Sequence, residues 1–584
     1  MSFAVAVDIG GTFTDLVAFD PDTKRVIYAK SPTTYGNFVE GILSCFSHAD
    51  VAPADARLLN HGTTLVINSL IQRQGAKTAL VTTKGFRDVL EIARANRPDP
   101  FDLYYRRDEP LIPRDLRFEV PERIAADGQV ITPLDMGALE DLAARIEGLD
   151  VEAVAVFFMN SYLDPAHEEQ AAAFLRDRLP GVYVTHSTEL TREWYEYERS
   201  STAAANAYVG PQVSTYVRRL ESDMESRGFA GSLFMMGSNG GLISVDRTCR
   251  QPVSLVESGP IGGCIGAGAY ARSFGIKNLI SFDMGGTTAK CALIDDGRFS
   301  VDSVYYVNGY VKGFPIKSPV IDIVEVGSGG GSIAWHDEQS RLHVGPESAG
   351  SSPGPVCYGQ GGDRPTVTDA NLVLGRLNAE RFLGGELRLD TTGARAAVAD
   401  KVAAPLGYTG EDGLIRMAEG ILSIAIVTMA GAIRRVSVEH GLDPRDFALF
   451  SYGGGGPLHA AALARELAIP MVIVPPEPGN FSAIGMLLAD ARIDAAETFT
   501  GPLDEALVAG MQGRFLAMEH EAAAALKRDF GAEDVYFHHH AEMRYCGQRH
   551  NIKVPVSGLR DVAAIRDAFT HDYKRRYGHA DARA

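Results

Sequence analysis

The chain has few cysteines, and they form no recognisable motif. Six cysteines are spread over 584 residues without a CxxC pair, so neither a zinc framework nor a disulfide scaffold is indicated. The N-terminal segment MSFAVAVDIGG lacks the basic region and the long apolar run of a signal peptide. We therefore expect a cytoplasmic protein in a reducing compartment.

Positive charge and long apolar runs are also scarce. The 56 Lys and Arg residues are outnumbered by 74 Asp and Glu residues, for a formal net charge of −18. Nucleic acids and anionic membranes need a basic protein face, so neither is expected as a partner. The longest apolar stretch, residues 420–433, is too short to cross a bilayer. We predict a buried core helix there.

Glycine is the residue in excess. The 61 glycines make up roughly a tenth of the chain, against a usual share near 7%, and they occur in clusters. Clustered glycines indicate backbone that approaches a ligand closely. The chain also exceeds the roughly 250 to 300 residues that one hydrophobic core can serve, so several packed units are expected.

One short glycine-rich segment occurs twice. VDIGGTFTD, from Val7 to Asp15, is repeated as FDMGGTTAK, from Phe282 to Lys290, with the Asp, both glycines and the Thr in register. Each copy follows one apolar strand and precedes another, so each predicts a tight turn inside a hairpin. Two copies of the same device indicate two related α/β lobes with a cleft between them.

The repeated turn is suited to a nucleotide phosphate. Paired glycines let backbone N–H groups reach phosphate oxygens, a Thr hydroxyl adds a donor, and an Asp carboxylate binds Mg²⁺ or its waters. We predict that Asp8 and Asp283 are catalytic and hold Mg²⁺. The predicted donors to the nucleotide are Gly10, Gly11, Thr12, Thr14, Gly285, Gly286, Thr287 and Thr288. Neither copy opens a helix and no GxxxxGK[ST] run occurs, which excludes a Walker loop and a Rossmann fingerprint.

A third glycine cluster lies in FALFSYGGGGPLHAAALARELAIPMVIVPP, residues 447–476. Its pattern predicts a strand, four glycines, a helix with Pro457 in the first turn, and another strand. A helix N-terminus offers free N–H groups and the positive end of the helix dipole to phosphate or purine acceptors. The residues predicted for this role are Gly453, Gly454, Gly455 and Gly456. A close contact between the helix and the sheet is the alternative reason for these glycines.

DIGGTFTD, FDMGGTTAK and SYGGGGPLH resemble the two phosphate motifs and the adenosine motif of the actin, Hsp70 and sugar-kinase ATPase superfamily. Longer segments are similar, more narrowly, to the hydantoinase A, 5-oxoprolinase and ketone-carboxylase family. These segments are HGTTLVINSLIQRQGAKTALVTTKGFRDVLEIARANRP, SGPIGG, VGSGGGSIAW, SAGSSPGPVCYGQGG and PTVTDANLVLGRL. The similarity covers nearly the whole chain, although family members typically extend further at the C-terminus.

The resemblance implies an α/β fold with two related RNase H-like lobes, as in actin-like ATPases. A nucleotide cleft lies between the lobes, and a smaller C-terminal α+β module follows. We place a hydantoinase A-type N-terminal lobe at residues 1–190 and a main lobe, with the second phosphate motif and the adenosine motif, at residues 191–495. The C-terminal module takes residues 496–584 and looks incomplete beside the family.

The resemblance also implies an enzyme subunit that uses ATP and Mg²⁺ to phosphorylate a carbonyl oxygen. In hydantoinases and oxoprolinases the carbonyl belongs to a cyclic amide, such as a hydantoin, 5-oxoproline or a lactam, which then opens hydrolytically. Ketone carboxylation, of acetone or acetophenone, is the alternative from the same family, and a small-molecule kinase is a second alternative. A chaperone-like or filament-forming ATPase represents another class. The family's A-type subunit usually works with a hydantoinase B-type subunit, so a hetero-oligomer is expected.

Three further positions carry open alternatives. The place of His61 in the family motif NHGTT puts it near the substrate carbonyl or the transferred phosphoryl group as a catalytic residue, and a structural hydrogen bond is the alternative. Lys290 either adds charge at the phosphates or is solvated. The loop VGSGGGSIAW either lines the substrate side of the cleft or marks a tight crossing of the chain.

Overall fold

The computed structural model describes residues 3–10, 13–34, 37–97, 100–382, 385 and 387–581. Two of the predicted phosphate donors, Gly11 and Thr12, lie outside the described residues. The other predicted site residues are described, and their positions depend on two large sheets.

The first lobe is built on a six-stranded sheet with strand Phe3–Ile9 in the middle. Strand Phe13–Phe19 pairs with it in antiparallel fashion, and strand Ala56–Thr63 pairs with it in parallel on the other side. The sheet is extended by Val26–Pro32 beside the second strand, and by Ser232–Met236 and Leu242–Ser244 beyond Ala56–Thr63. Three antiparallel strands are thus followed by two parallel ones and an antiparallel edge strand.

The second lobe repeats this arrangement. Its central strand Leu279–Met284 pairs antiparallel with Ala289–Asp295 and parallel with Ala448–Tyr452. The sheet is completed by Arg298–Phe299, Ile323–Val326 and Met471–Ile473. The order and direction of the shared strands match the first sheet. The predicted α/β fold with two related lobes is therefore confirmed.

A separate parallel sheet, called here the inserted sheet, is formed by residues that lie in the chain between strands Ala56–Thr63 and Ser232–Met236 of the first lobe. Its four strands are, in order across the sheet, Tyr183–His186, Ala153–Phe157, Thr78–Thr83 and Arg117–Val120. All four run in the same direction, so their carboxyl ends meet at one edge, where open α/β sheets usually bind ligands.

The helices pack on these three sheets. The 31-residue helix Glu196–Ser226 has an almost fully buried first half, which packs on the inserted sheet and on the first lobe. The other α-helices of the two lobes are Phe38–His48, Leu65–Ile71, Val89–Ile92, Met136–Glu147, Ala166–Arg178, Ser187–Leu190, Val245–Arg250, Ser258–Phe274, Gly309–Lys312, Val367–Val373, Thr391–Val398, Gly410–Ser437, Gly456–Leu467 and Phe481–Met486. Four short antiparallel strand pairs are Arg123–Ile124 with Val130–Thr132, Val301–Asp302 with Val320–Ile321, Tyr305–Val307 with Phe314–Ile316, and Ser332–His336 with Leu342–Ser348.

Helix Gly410–Ser437 contains the predicted core helix. Its apolar side, which includes Ile421, Met429 and Ile433, is buried in the core of the second lobe. The segment Gly410–His440 is long and apolar enough to cross a membrane by length and composition, but half of its most apolar window is buried inside the protein. The packing is that of a core helix.

The C-terminal module has the expected α+β composition. Helices Glu505–Phe530 and Val562–Tyr577 flank an antiparallel pair formed by His540–Met543 and Ile552–Pro555. The module has its own small core, which includes Val508, Val554, Ile565 and Phe569.

The sheets do not follow the predicted boundary at residue 190. Strand Ser232–Met236 belongs to the first sheet, although residues 191–495 were assigned to the second lobe. A local pattern shows that a segment is a strand but not which distant strand it joins, and parallel partners are always distant in the chain. The boundaries near residues 190 and 495 stay predictions.

Candidate active site

The first repeated motif forms the predicted hairpin. Asp8 and Asp15 are cross-strand neighbours, so their side chains lie on the same face of the sheet. The N–H of Gly10 donates to the carbonyl of Phe13 at 2.9 Å and closes the turn. Asp15 forms an ion pair with Lys30 of the next strand. Of the two carboxylates, Asp15 therefore has a cationic partner, Lys30, in its own lobe.

The second motif forms an equivalent hairpin with a different charge pattern. Asp283 is the cross-strand neighbour of Lys290, and the N–H of Gly285 donates to the carbonyl of Thr288 at 3.1 Å. This hairpin presents an acid and a base on one face. The tip of the turn, with Gly286 and Thr287, is exposed.

Asp8 has an oxygen without a donor. Its Oδ1 is buried and has no hydrogen-bond partner among the described residues. A Cβ on Gly62 would come within 3.2 Å of this oxygen, and one on Gly259 within 3.7 Å, so glycines make the space around it. Burial, with the negative charges of Asp15 and Asp283, raises the pKa of Asp8 well above its usual value. Such an oxygen is suited to a cation.

Asp283 lies under the third glycine cluster. Gly453 has φ +78°, and a Cβ there would lie 2.2 Å from Asp283 Oδ1, so only glycine fits. Burial raises the pKa of Asp283 to about 6, although Lys290 opposes the rise. The third cluster and the second hairpin therefore belong to one site.

Lys290 connects the two hairpins electrostatically. Its Nζ lies 3.6 Å from Glu325 Oε2 and 4.0 Å from Glu257 Oε2, and its side chain is 20% exposed. Burial alone would lower the pKa of Lys290, but the neighbouring carboxylates outweigh it and raise the pKa. These carboxylates belong to Glu257, Glu325, Asp283 and Asp8. The cation thus acts on an aspartate from each lobe, and the two hairpins face a common space.

Glu257 is held in place from two sides. It precedes helix Ser258–Phe274, and the hydroxyl of Tyr305 donates to its Oε1 at 2.6 Å. Burial raises the pKa of Glu257, while Lys290 and the hydrogen bond oppose the rise. The start of this helix lies beside Asp8, because Gly259 packs near Oδ1. Helix Ser258–Phe274 therefore begins between the two hairpins.

The four glycines of the third cluster divide between the two expected roles. The N–H of Gly455 donates to the carbonyl of Met284 at 2.8 Å, and Gly453 touches Asp283, so these two serve a close contact with the central strand. Gly456 begins helix Gly456–Leu467. Gly454 is exposed, with no described atom within 4 Å of a Cβ placed on it.

The loop VGSGGGSIAW holds the turn of the second hairpin through hydrogen bonds to its backbone carbonyls. Gly330 and Gly331 donate their N–H groups to the carbonyls of Gly285 and Gly286 at 3.1 and 2.6 Å. The hydroxyl of Thr368 in turn donates to the carbonyl of Gly330 at 2.8 Å. This arrangement supports a tight crossing of the chain and not a lining of the substrate side.

Thr14 does not lie with the other predicted donors. It is 1% exposed, and a Cβ on Gly41 would lie 3.3 Å from its Oγ1, which places the side chain against helix Phe38–His48. Successive side chains of a strand point to opposite faces, so Thr14 lies on the face opposite Asp15. The structure does not support Thr14 as a donor to a nucleotide.

His61 is fully buried within the first sheet. Its Nδ1 lies 3.0 Å from the carbonyl of Val7, and its Nε2 lies 2.6 Å from the hydroxyl of Tyr216. The carbonyl accepts from Nδ1–H, which leaves Nε2 to accept from the tyrosine. Burial lowers the pKa of His61 to about 4. Both ring nitrogens are occupied, so the geometry supports the structural alternative and not a catalytic His61.

Four residues of this site were missed or underestimated from the sequence. Asp15 and Lys290 are the last residues of the two repeats, and residues equidistant from a hairpin turn share a face. That rule alone would have placed them beside Asp8 and Asp283. Glu257 and Tyr305 come from segments without a repeated pattern, and no local signal marks them.

The comparisons with known proteins agree with this geometry. A model of the hydantoinase/oxoprolinase N-terminal region matches residues 4–179, and the hydantoinase/oxoprolinase model matches residues 199–495. The chain is 35% identical to the caprolactamase subunit alpha of Pseudomonas jessenii over 99% of its own length and 84% of the relative's. It is also 35% identical to the acetophenone carboxylase gamma subunit of Aromatoleum aromaticum, over 83% of its own length and 68% of the relative's.

Among solved structures, the ATP-dependent caprolactamase from Pseudomonas jessenii superposes with a TM-score of 0.86 at 34% identity. The match covers 99% of this chain and 85% of that one. The two family models together span both lobes and all three glycine-rich motifs. The chain therefore belongs to the hydantoinase/oxoprolinase family.

Proposed function

We propose that this chain is the ATP-dependent subunit of an enzyme that activates the carbonyl of a cyclic amide by phosphorylation, before the ring opens. One observation carries the proposal: Asp8 and Asp283, from equivalent hairpins of two lobes, face a common space in which Lys290 interacts with both. The reaction class comes from the name of a relative, the ATP-dependent caprolactamase.

The residues of this space fit a magnesium nucleotide. Asp8 Oδ1 is buried without a described donor, which suits a cation. No group of three or more His, Cys, Asp or Glu side chains within the described ranges is arranged around a metal. Mg²⁺ commonly takes one or two carboxylates and completes its coordination with water and phosphate, so Asp8 and Asp283 suffice. When bound, Mg²⁺ neutralises phosphate charge.

The chain's own groups supply the remaining interactions. The exposed backbone of Gly286 and Thr287 donates to phosphate oxygens, and the positive end of the dipole of helix Gly456–Leu467 attracts the nucleotide. Lys290 balances the negative charge that spreads over the transferred phosphoryl group. Phosphoryl transfer depends chiefly on such positioning and neutralisation.

The proposed reaction consumes one ATP and two waters for each ring opened. The terminal phosphoryl group moves from ATP to the amide oxygen. One water then adds to the amide carbon, the carbon–nitrogen bond breaks and the nitrogen takes up a proton, which leaves an acyl phosphate. A second water hydrolyses the acyl phosphate to a carboxylate and inorganic phosphate. For a lactam the products are ADP, phosphate and an amino acid.

We assign the ring-opening half of this reaction to a partner of the hydantoinase B type. The relatives named above are called subunits, which supports a hetero-oligomer. All six cysteines lie in the described part of the chain and are free thiols, consistent with the cytoplasm as the proposed location.

Ketone carboxylation is a second candidate. The acetophenone carboxylase gamma subunit has the same 35% identity to this chain as the caprolactamase subunit, over a smaller share of the chain. The same nucleotide site would serve both reactions, since each needs a phosphorylated oxygen on carbon.

The test is ADP release in the presence of hydantoin, δ-valerolactam, 5-oxoproline, acetone with bicarbonate, or glucose, with and without the co-expressed partner. Stimulation by a cyclic amide, abolished in Asp283→Asn, is expected. Stimulation by the ketone alone selects the carboxylase, and stimulation by glucose alone contradicts both assignments. An ATPase indifferent to all of these compounds contradicts the proposal as well.

A further inference from the structure

Five large apolar side chains from separate segments are exposed to solvent. Each is at least half exposed, and together they are Ile92, Leu103, Tyr104, Tyr310 and Val311. Burying such side chains is favourable, and contiguous exposed apolar patches on a folded protein mark sites where another molecule binds. Tyrosine is also enriched at protein interfaces, because it combines a large apolar area with a polar tip. We call these five side chains the apolar face.

Hydrogen bonds hold the segments of the apolar face together. The hydroxyl of Tyr105, which follows Tyr104 in the chain, donates to the carbonyl of Val311. The side-chain amide of Asn96 donates to the hydroxyl of Tyr310 at 3.1 Å. Both bonds reach the short helix Gly309–Lys312 from the proline-rich stretch that precedes strand Arg117–Val120. The exposed side chains therefore belong to one surface and are not scattered over the protein.

A cavity of about 360 Å³ opens within this surface. Ile92 of the apolar face lines it, together with Leu111, Tyr197 and Phe314. Three charged residues of its wall are already paired with other side chains, at 2.6 to 3.0 Å: Arg107 with Asn96, Asp108 with Asn308, and Glu91 with Arg117. These groups need no counterion from an occupant, so the cavity suits a neutral apolar group. At interfaces, such cavities receive a large side chain of the partner.

Two exposed cations border the apolar face. Arg106 follows Tyr105 in the chain, and Lys312 follows Val311. The chain carries a formal net charge of −18, so its surface as a whole repels acidic proteins, including a second copy of itself. This face, with basic residues at its edge, instead fits a different chain that presents an apolar centre and an acidic border.

The apolar face is connected to the nucleotide site by a short run of contacts. Helix Gly309–Lys312 follows strand Tyr305–Val307 in the chain. The hydroxyl of Tyr305 donates to Glu257 at 2.6 Å, and Glu257 Oε2 lies 4.0 Å from Lys290 Nζ. A phosphorylated amide reacts with water, so a subunit that opens the ring must lie near the site where this intermediate forms. The position of the face meets that requirement.

We propose that the apolar face is the docking surface for the ring-opening partner subunit. The contacting surface of that subunit is apolar at its centre and acidic at its edge, and one of its large apolar side chains enters the cavity beside Ile92. The assignment rests on the proposed function, because that function requires the partner. It concerns assembly of the two chains and not phosphoryl transfer.

The double variant Leu103→Ser/Tyr104→Ser tests the apolar contact. Both side chains are exposed, so their replacement does not disturb the core. Affinity for the purified hydantoinase B-type partner, measured by biolayer interferometry, is expected to fall by at least about tenfold, as loss of central apolar contacts does at other interfaces. Leu516→Ser, at a leucine that is 65% exposed on helix Glu505–Phe530, is the matched control and should bind as wild type. Equal affinity of the double variant and wild type overturns the proposal.

Charge reversal tests the acidic border expected on the partner. Arg106→Glu/Lys312→Glu is expected to weaken partner binding by about tenfold at low salt, and by much less at about 0.5 M salt, where exposed charges are screened. Lys277→Glu, at an exposed lysine beyond the far end of helix Ser258–Phe274, is the control for an added negative charge. Tighter binding by the double charge reversal overturns the stated chemistry of the partner.

Sedimentation velocity of the chain alone tests a second copy as the occupant. Wild type and Leu103→Ser/Tyr104→Ser are expected to sediment alike without the partner. A wild-type dimer that the double variant converts to a monomer would show that the face binds another copy of this chain, and overturns the proposal.

The docking surface and the proposed function can fail separately. Leu103→Ser/Tyr104→Ser is expected to keep wild-type ADP release in the absence of the partner and to lose the stimulation that the partner gives. Ring opening by the partner complex at wild-type rates in the double variant overturns the docking surface and leaves the function in place. Loss of partner binding in the double variant, when no cyclic amide stimulates ADP release in the wild-type complex, does the reverse.

Discussion

Asp15 and Lys290 occupy equivalent positions in the two hairpins and carry opposite charges. Each is the cross-strand neighbour of the repeated aspartate, Asp8 in the first lobe and Asp283 in the second. Lys30 balances Asp15 from within the first lobe, whereas Lys290 interacts with carboxylates of both lobes. The two hairpins are therefore related in structure but not interchangeable, since only the second supplies a cation to the common space.

Lys290→Met is expected to lower ATP turnover by about 10² to 10³-fold, as loss of one preorganised group at the reacting charge does in other enzymes. Lys290→Arg keeps the charge and should retain more activity than the methionine variant. Lys277→Met, at a lysine that is 80% exposed, is the matched control and should behave as wild type. Steady-state ADP release measures the effect, and a methionine variant with more than a third of wild-type turnover would contradict the assigned role.

The affinity for magnesium nucleotide should depend on the protonation of Asp283. Its pKa of about 6 means that the carboxyl is neutral at lower pH, and a neutral carboxyl does not bind Mg²⁺. We expect affinity to fall below pH 6, by up to about tenfold per pH unit. Asp283→Asn should bind weakly at every pH and lack this dependence. Titration with a fluorescent ATP analogue between pH 5 and 8 checks the profile, which would be unchanged by the substitution if Asp283 were not involved.

Asp283→Asn should also stabilise the protein when no nucleotide is bound. The folded-state pKa of about 6 lies above the unfolded value, near 3.9, so the folded protein holds the extra proton between these pH values. Stability contributed by the protonated form is therefore lost as the pH rises through 6. At pH 7.5 the substitution should raise the apparent Tm by a few degrees.

Thermal scans at pH 4.5 and 7.5 measure this effect. The gain should be present at pH 7.5 and mostly absent at pH 4.5, where the wild-type carboxyl is largely protonated. Asp296→Asn, at an exposed aspartate, is the control and should change neither scan. A lower Tm at pH 7.5 for Asp283→Asn would contradict the expectation.

Gly453→Ala should displace the Asp283 carboxylate while leaving Asp283 itself unsubstituted. The new Cβ would lie 2.2 Å from Asp283 Oδ1, in a residue with φ +78°, so the carboxylate or the loop must move. A loss of nucleotide affinity of at least about tenfold is expected, because displacement by a fraction of an ångström disrupts a ligand set. Gly431→Ala, in a helix position with no described atom within 4 Å of the new Cβ, is the control.

Tyr216→Phe distinguishes the two roles considered for His61. It removes the hydroxyl that donates to His61 Nε2 and leaves that buried nitrogen without a partner. The expected result is a loss of about 1 to 2 kcal/mol in stability, with ATP turnover within threefold of wild type. A large loss of ATP turnover at unchanged stability would support a catalytic role for His61 instead.

The parts of the site that could be predicted from the sequence are those governed by local chemistry. The hairpins at Asp8 and Asp283 follow from a glycine turn between two apolar strands, and both occur where the repeat placed them. Thr14 was included among the predicted donors because the motif was considered as a whole and not residue by residue along an alternating strand. His61 shows that a motif can place a residue near the site without showing which way its side chain points; both ring nitrogens of His61 are bonded inside the core. Glu257 meets Lys290, and Tyr305 meets Glu257, only through the packing of distant segments, which no local pattern reveals.

The late position of strand Ser232–Met236 in the chain has a consequence for biosynthesis. The inserted sheet is complete once His186 has left the ribosome, whereas the first lobe still lacks two of its six strands. Until those strands emerge, Ala56–Thr63 has an uncovered edge of backbone groups, which is prone to pair with another nascent chain. A fragment that ends at residue 190 would carry that open edge permanently and should aggregate, whereas one extended past Ser244 would close it.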